Sequence, residues 1–230
     1  MHGLFGNAKT SRFLAQNKQS MATDLKSYLD YHQIGRAVLV GQSMGGKVAM
    51  TFASLFQDQV EGIISIDSPP IDRNQYPEMN HATNNLIKRA LQLNFSSMSY
   101  KQAVEYINKE LFDERAFASS LAMCLDRDSQ EQAKLKLNLK AFDKNKSNLY
   151  GYEAYGQFRG PCLMINGRQS FQYEIENDVK FYQHVFPEIK QQDIIILENA
   201  GHWVHAERKD EVIKLISDFI ESLDNSNLSN

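Results

Sequence analysis

Ala37-Val38-Leu39-Val40-Gly41-Gln42-Ser43-Met44-Gly45-Gly46-Lys47-Val48 decides how the rest of the chain is read. Its first four residues are apolar and rich in β-branched side chains, the pattern of a buried strand. After it, Val48, Phe52, Leu55 and Phe56 recur at helical spacing. The G-x-S-x-G segment between them predicts a nucleophile elbow, a sharp strand-to-helix turn whose small flanking residues let a serine oxygen stand above the sheet. Ser43 is therefore the candidate nucleophile. The helix that follows aims unsatisfied N–H groups and the positive end of its dipole at this point, which makes Met44 N–H a candidate oxyanion donor. The alternative is a glycine-rich turn with a spectator serine. A second reading overlaps the first: residues 41–47 also fit G-x-x-x-x-G-K, the start of a phosphate-binding loop. Val48, however, stands where that chemistry needs a Ser or Thr hydroxyl for magnesium.

Outward from this stretch, residues 62–66, Ile194–Leu197 and, with less branching, 162–165 read as further buried strands. Helical periodicity lies between them: Leu25, Tyr28, Leu29 and His32 share a face before the first strand, and a helix is predicted over 174–186 and another over 210–223. Strand–helix alternation of this kind implies a parallel sheet in an α/β fold. Between about residues 71 and 155 the alternation gives way to helical spacings, as in Leu86, Ala90 and Leu93, in Ala103, Ile107 and Leu111, in Leu121 and Cys124, and in Leu135 and Leu139. No flexible linker borders this segment, so it is expected to be a cap inserted into one core. The resulting organisation is a first core part over 1–70, a helical cap over 71–155, a second core part over 156–223 and a frayed polar tail over 224–230.

Composition narrows the class. At 230 residues and 42% hydrophobic, with 12 Gly and 5 Pro, the chain can bury a sizeable core and is neither collagenous nor disordered. A formal charge of −3 gives no reason to expect nucleic acid or an anionic membrane surface as a partner. Cys124 and Cys162 are the only cysteines, so no disulfide framework is expected, and Cys162 reads as a buried strand residue. No run of about 18 apolar residues suggests a membrane span, and the first residues read as neither signal nor transit peptide; a soluble chain without an address is expected.

A serine nucleophile needs a base. Asn199-Ala200-Gly201-His202-Trp203-Val204-His205 follows the last predicted strand, and parallel strands bring their C-terminal ends to one rim, so His202 is the candidate base for Ser43. A solvated loop histidine is the alternative, and His205 is expected to cap or pack at the start of the final helix. Asp67, ending the run 62–66, is the candidate orienter of the histidine, although before Ser68-Pro69-Pro70 it is also suited to forming a turn. The loop from Asn166 to Phe171 contains no carboxylate, and Glu174 and Asp178 read as first-turn helix acids. Apolar side chains of the predicted cap, including Phe95, Tyr100, Phe112 and Phe117, are candidates to enclose an acyl chain, though aromatics at helical spacing more often form core.

His2-Gly3-Leu4-Phe5-Gly6, Gly41-Gln42-Ser43-Met44-Gly45-Gly46-Lys47, Ile66-Asp67-Ser68-Pro69-Pro70 and Ala200-Gly201-His202-Trp203-Val204-His205-Ala206 together resemble the α/β-hydrolase superfamily. Within it, they are most similar to the esterase group of bacterial YbfF and the mitochondrial abhydrolase domain protein eleven. The resemblance runs through nearly the whole chain in order. It implies an α/β-hydrolase fold with a mostly parallel sheet and a helical cap. It also implies hydrolysis of small carboxylic esters or acyl thioesters by Ser43, His202 and Asp67, with no metal or organic cofactor. Leu4 or Phe5 is implied as a further oxyanion donor, and the compartment as mitochondrial or cytoplasmic.

The chain departs from the pattern at Gln42, where members usually carry His, and at Lys140, where some place an acid in the cap. Only Met1 precedes His2, and only residues 15–23 separate Leu14 from Asp24, so the sheet is expected to be N-terminally truncated. That would leave the strand 37–40 as an open edge, a place for a partner chain to pair. The alternative function is accordingly a catalytically impaired interaction protein derived from this fold.

Overall fold

The computed structural model describes residues 17–111, 113, 115–170 and 178–227. Leu4 and Phe5 with the rest of residues 1–16, Phe112 and the first residues of the helix expected over 174–186 lie outside the described residues. Two compact units are formed, residues 17–79 with 147–227, and residues 80–146.

The first unit is built on a parallel sheet of order β1-β2-β5-β6: β1 (Ala37–Gln42), β2 (Val60–Ile66), β5 (Cys162–Gly167) and β6 (Ile194–Leu197). All four strand positions match the apolar runs of the sequence. Alternate side chains go to opposite faces. Leu39, Ile63, Met164 and Ile194 join Ala22 and Leu29 of α1 (Lys18–Tyr31) and Ala49, Met50, Phe52 and Ala53 of α2 (Met44–Leu55) in one core. Ile64, Ile66, Leu163, Ile165 and Leu197 face the other way, onto Val212, Ile216 and Phe219 of the last helix (Lys209–Asn227). Helices thus cover both faces, as a parallel sheet requires.

Register decides what the sheet can do. Gln42 pairs with Ile66, Ile66 with Ile165, and Gly167 with Leu197, so the C-terminal ends of four strands are level. Ser43 and Asp67 each follow directly on a strand end, and His202 lies five residues beyond Leu197.

The second unit carries α3 (His81–Gln92), α4 (Tyr100–Glu110), α5 (Arg115–Met123) and the start of α6 (Leu139–Tyr150), packed through buried Ile87, Ile107, Leu111, Phe117 and Leu121. Ser99 and Gln102 form a reciprocal capping box that starts α4.

Four expectations are corrected. The helical spacing read through Leu135 conceals a two-stranded antiparallel ribbon, β3 (Leu125–Arg127) and β4 (Ala133–Leu135), which the Asp128 carboxylate sets up by accepting from Gln130 and Gln132 N–H. Of the face predicted for α1, Leu25 and Leu29 pack into the core, but Tyr28 is 57% exposed and His32 is exposed, and the covered side runs on through Lys18 and Ala22 instead. The last helix does not stop at Leu223; it runs to Asn227, into the segment expected to fray. The helix expected to reach 186 ends at Gln183, its described part being α7 (Lys180–Gln183), and the short α8 (Val204–Glu207) precedes the last helix, α9.

Candidate active site

Ser43 has φ 52° and ψ −119°, a left-handed conformation that a non-glycine residue holds at a cost of about 1–3 kcal/mol. The neighbourhood fixes it there. Ser43 N–H donates to Ile66 O at 2.9 Å, Ser68 Oγ donates to Ser43 O at 2.6 Å, and Gly46 N–H donates to the same carbonyl at 3.0 Å. A Cβ on Gly41 would lie 2.2 Å from Gly45 O, so only glycine lets strand and helix meet this tightly. Met44 opens α2, and its N–H is one of those a helix start cannot bond within itself.

Asp67 is fully buried, also at positive φ (49°), and its carboxylate is surrounded by donors. Gly167 N–H donates to Oδ1 at 3.1 Å and Ser170 Oγ to Oδ2 at 2.7 Å. His202 Nδ1 meets the same Oδ2 in a short contact. Burial by itself pushes the Asp67 carboxyl up. The His202 imidazole, together with the hydrogen bonds from His202, Ser170 and Gly167, outweighs burial and holds it below the usual carboxylate range.

His202 is held by its loop. Asn199 takes φ 56°, Gly201 N–H donates to Glu207 Oε2 at 2.6 Å, and Gln169 N–H donates to Ala200 O at 2.8 Å. Gly167 is needed for this approach, since a Cβ there would meet Gly201 O at 2.3 Å. With Nδ1 on an ionised carboxylate, the ring presents Nε2 as an acceptor, and Nε2 lies 3.0 Å from Ser43 Oγ. A hydroxyl, an imidazole and a carboxylate are therefore in one hydrogen-bonded line, the arrangement by which a base can take a serine proton while an acid holds the base's tautomer.

The remaining sequence candidates fall elsewhere. His205 is in α8, with its ring 6.1 Å from that of Trp203. Asp178 Oδ1 accepts Lys180 N–H at the start of α7, and Lys140 is exposed on α6. Lys47 speaks against the phosphate-loop reading: its buried ammonium is engaged by backbone, donating to Ile71 O at 2.7 Å and Tyr150 O at 2.8 Å. Among the described residues, no group of three His, Cys, Asp or Glu side chains is placed to hold a metal, and no helix is long and apolar enough to cross a membrane.

Sequence reasoning missed Ser170, Ser68 and the contact of Gln42 with His202. The end of β5 and the residues after it supply a backbone N–H and a hydroxyl rather than a carboxylate, and the sequence signal for them is a short polar side chain three residues beyond a strand-end glycine.

Residues 9–215 match the model of the "Alpha/beta hydrolase family". The chain is 27% identical to "Esterase YbfF" of Escherichia coli over 95% of its own length and 79% of that protein's. It is 26% identical to "sn-1-specific diacylglycerol lipase ABHD11" of Danio rerio over 88% of its length, spanning 62% of the relative. In fold it superposes on a "Marine microorganism esterase" with a TM-score of 0.80 at 21% identity, covering 95% of this chain and 93% of that one.

Proposed function

Since the chain belongs to the alpha/beta hydrolase family, we propose that it is a serine hydrolase cleaving small carboxylic esters or acyl thioesters, with Ser43 as nucleophile, His202 as general base and Asp67 as its orienter. The observation that carries this reading is the 3.0 Å separation of Ser43 Oγ from a His202 ring whose other nitrogen is on a buried carboxylate. The relatives named esterase and lipase support ester substrates.

In the acylation step Ser43 Oγ attacks the substrate carbonyl carbon as its proton passes to His202 Nε2. The carbonyl oxygen becomes an oxyanion, which Met44 N–H stabilises at the start of α2. Collapse breaks the bond to the alcohol or thiol, which leaves with the proton from Nε2. Water, deprotonated by the same nitrogen, then releases the acid and restores Ser43. On this reading Leu4 or Phe5 supplies a second oxyanion N–H, and the segment 71–155 is the cap that the family resemblance implies.

The test is turnover of p-nitrophenyl acetate and butyrate and of butyryl-coenzyme A by the purified chain and by Ser43→Ala. Hydrolysis by the first and not the second supports the reading. A well-folded protein that hydrolyses none of the three, or a Ser43→Ala chain that keeps the activity, contradicts it.

A further inference from the structure

Gln42 ends β1 directly before Ser43 and is 7% exposed. Its amide nitrogen lies 3.2 Å from His202 O and 3.4 Å from His202 Nε2. The first contact fixes the second. A backbone carbonyl only accepts, so the atom of the Gln42 amide that faces it is the NH2 group and not the oxygen. The two hydrogens of that group then serve both contacts, one toward the carbonyl and the other toward the ring nitrogen that also faces Ser43 Oγ.

We propose that Gln42 is a positioning residue for the reaction of Ser43: it ties the His202 backbone to the end of β1 and keeps a hydrogen-bond donor opposite Nε2. The inference rests on the serine-hydrolase reading above. A donor facing Nε2 favours the ring with that nitrogen bare, which is the tautomer Asp67 requires at Nδ1 and the one that accepts the Ser43 proton. Once the proton has moved from Ser43 Oγ to Nε2, two N–H groups face each other. The hydrogen bond from the Gln42 amide to Nε2 is then lost, which favours passing the proton onward to the leaving alcohol or thiol. Gln42 thus opposes a long-lived imidazolium.

The charged and titratable groups around the imidazole are few among the described residues. Asp67 faces it from the end of β2, and Ser43 from the turn between β1 and α2. On its own loop, Glu207 is bonded to Gly201 N–H, and His205 stands beyond Trp203. An acceptor in place of the Gln42 donor would be a second carboxylate in contact with the ring.

Two variants of nearly the same shape separate this role from packing. Gln42→Met removes the donor, and Gln42→Glu replaces it with an acceptor that favours the protonated ring. With p-nitrophenyl butyrate, Gln42→Met is expected to lower kcat about five- to tenfold with KM within about twofold, the scale of one lost positioning hydrogen bond. Gln42→Glu is expected to lower kcat at least as much and to move the acid-side fall of kcat/KM up by about one pH unit, as a new neighbouring carboxylate does. Wild-type kcat and pH profile in both variants, or equal losses in both with the profile unmoved, would overturn the proposal. Ser43→Ala is run beside them: if it is inactive while both Gln42 variants match wild type, the positioning role alone is wrong, and if it is active, the hydrolase reading falls first.

Discussion

Ser170 Oγ donates to Asp67 Oδ2 at 2.7 Å, joining a loop hydroxyl to a strand-end carboxylate 103 residues away. The same carboxylate oxygen contacts His202 Nδ1, so Ser170 and His202 share one acceptor. An acid with no exposure keeps its charge only when donors replace water, and Ser170, Gly167 and His202 are those donors. Residues 168–170, directly after β5, carry no acid and contribute by holding the one that follows β2.

Asp67→Asn is expected to reduce kcat/KM by about 1,000- to 10,000-fold, because a neutral amide no longer selects the Nδ1–H tautomer of His202. Ser170→Ala, which leaves the carboxylate ionised but less fixed, is expected to cost about tenfold. Steady-state kinetics on p-nitrophenyl butyrate measures both, and a Ser170→Ala loss equal to that of Asp67→Asn would contradict the division of roles. The sign of the acid response follows from the depressed Asp67 carboxyl. Its stabilisation is full above the ordinary carboxylate range and is lost as pH falls through the lower value of the folded state. Acid unfolding of Asp67→Asn should therefore depend less steeply on pH than that of the wild type below about pH 4.

Lys18 gives a stability signal of the opposite origin. Its ammonium is buried against Asn148 O, and burial, opposed by Asp72 and reinforced by Arg73, lowers its pKa from 10.5 to about 7. The unfolded chain holds this proton up to the higher value. Stability due to Lys18 is thus complete above about 10.5, falls as pH drops toward about 7, and changes little below it. Urea unfolding should show stability rising by at most about 1.4 kcal/mol per pH unit within this window, and Lys18→Met should flatten that slope. An unchanged slope in the variant would contradict the assignment.

Lys47 is structural. Lys47→Met leaves Ile71 O and Tyr150 O without their ammonium donor, and about 2–4 kcal/mol of unfolding free energy should be lost by urea denaturation. Magnesium-ATP should not raise the melting temperature of the wild-type chain. A clear rise would revive the phosphate-loop reading of residues 41–47.

Much of this was legible in the sequence because the signals were local. Residues 37–40 and Ile194–Leu197 are short apolar runs with clear boundaries, and the glycines around Ser43 announce a turn no other residue can make. Ser43, Asp67 and His202 could be named because level strand ends make a shared rim from positions far apart in the chain. Gln42 and Ser170 could not, since their contacts depend on side-chain reach across strands, which spacing does not encode. The β3–β4 ribbon was hidden because strands of three residues fit a helical spacing equally well. Only part of the α1 face, Leu25 and Leu29, follows from apolar spacing, because Lys18, a charged residue, belongs to the covered side, while Tyr28 is left exposed.

The central claim is that the Ser43 hydroxyl is an activated nucleophile. Labelling the folded protein with a fluorophosphonate and mapping the adduct by mass spectrometry tests it most directly. The account predicts one phosphonylated residue, Ser43, with labelling abolished in His202→Ala and in urea-unfolded protein. Absence of an adduct on Ser43, or equal labelling of Ser43 in the His202→Ala chain, would contradict it.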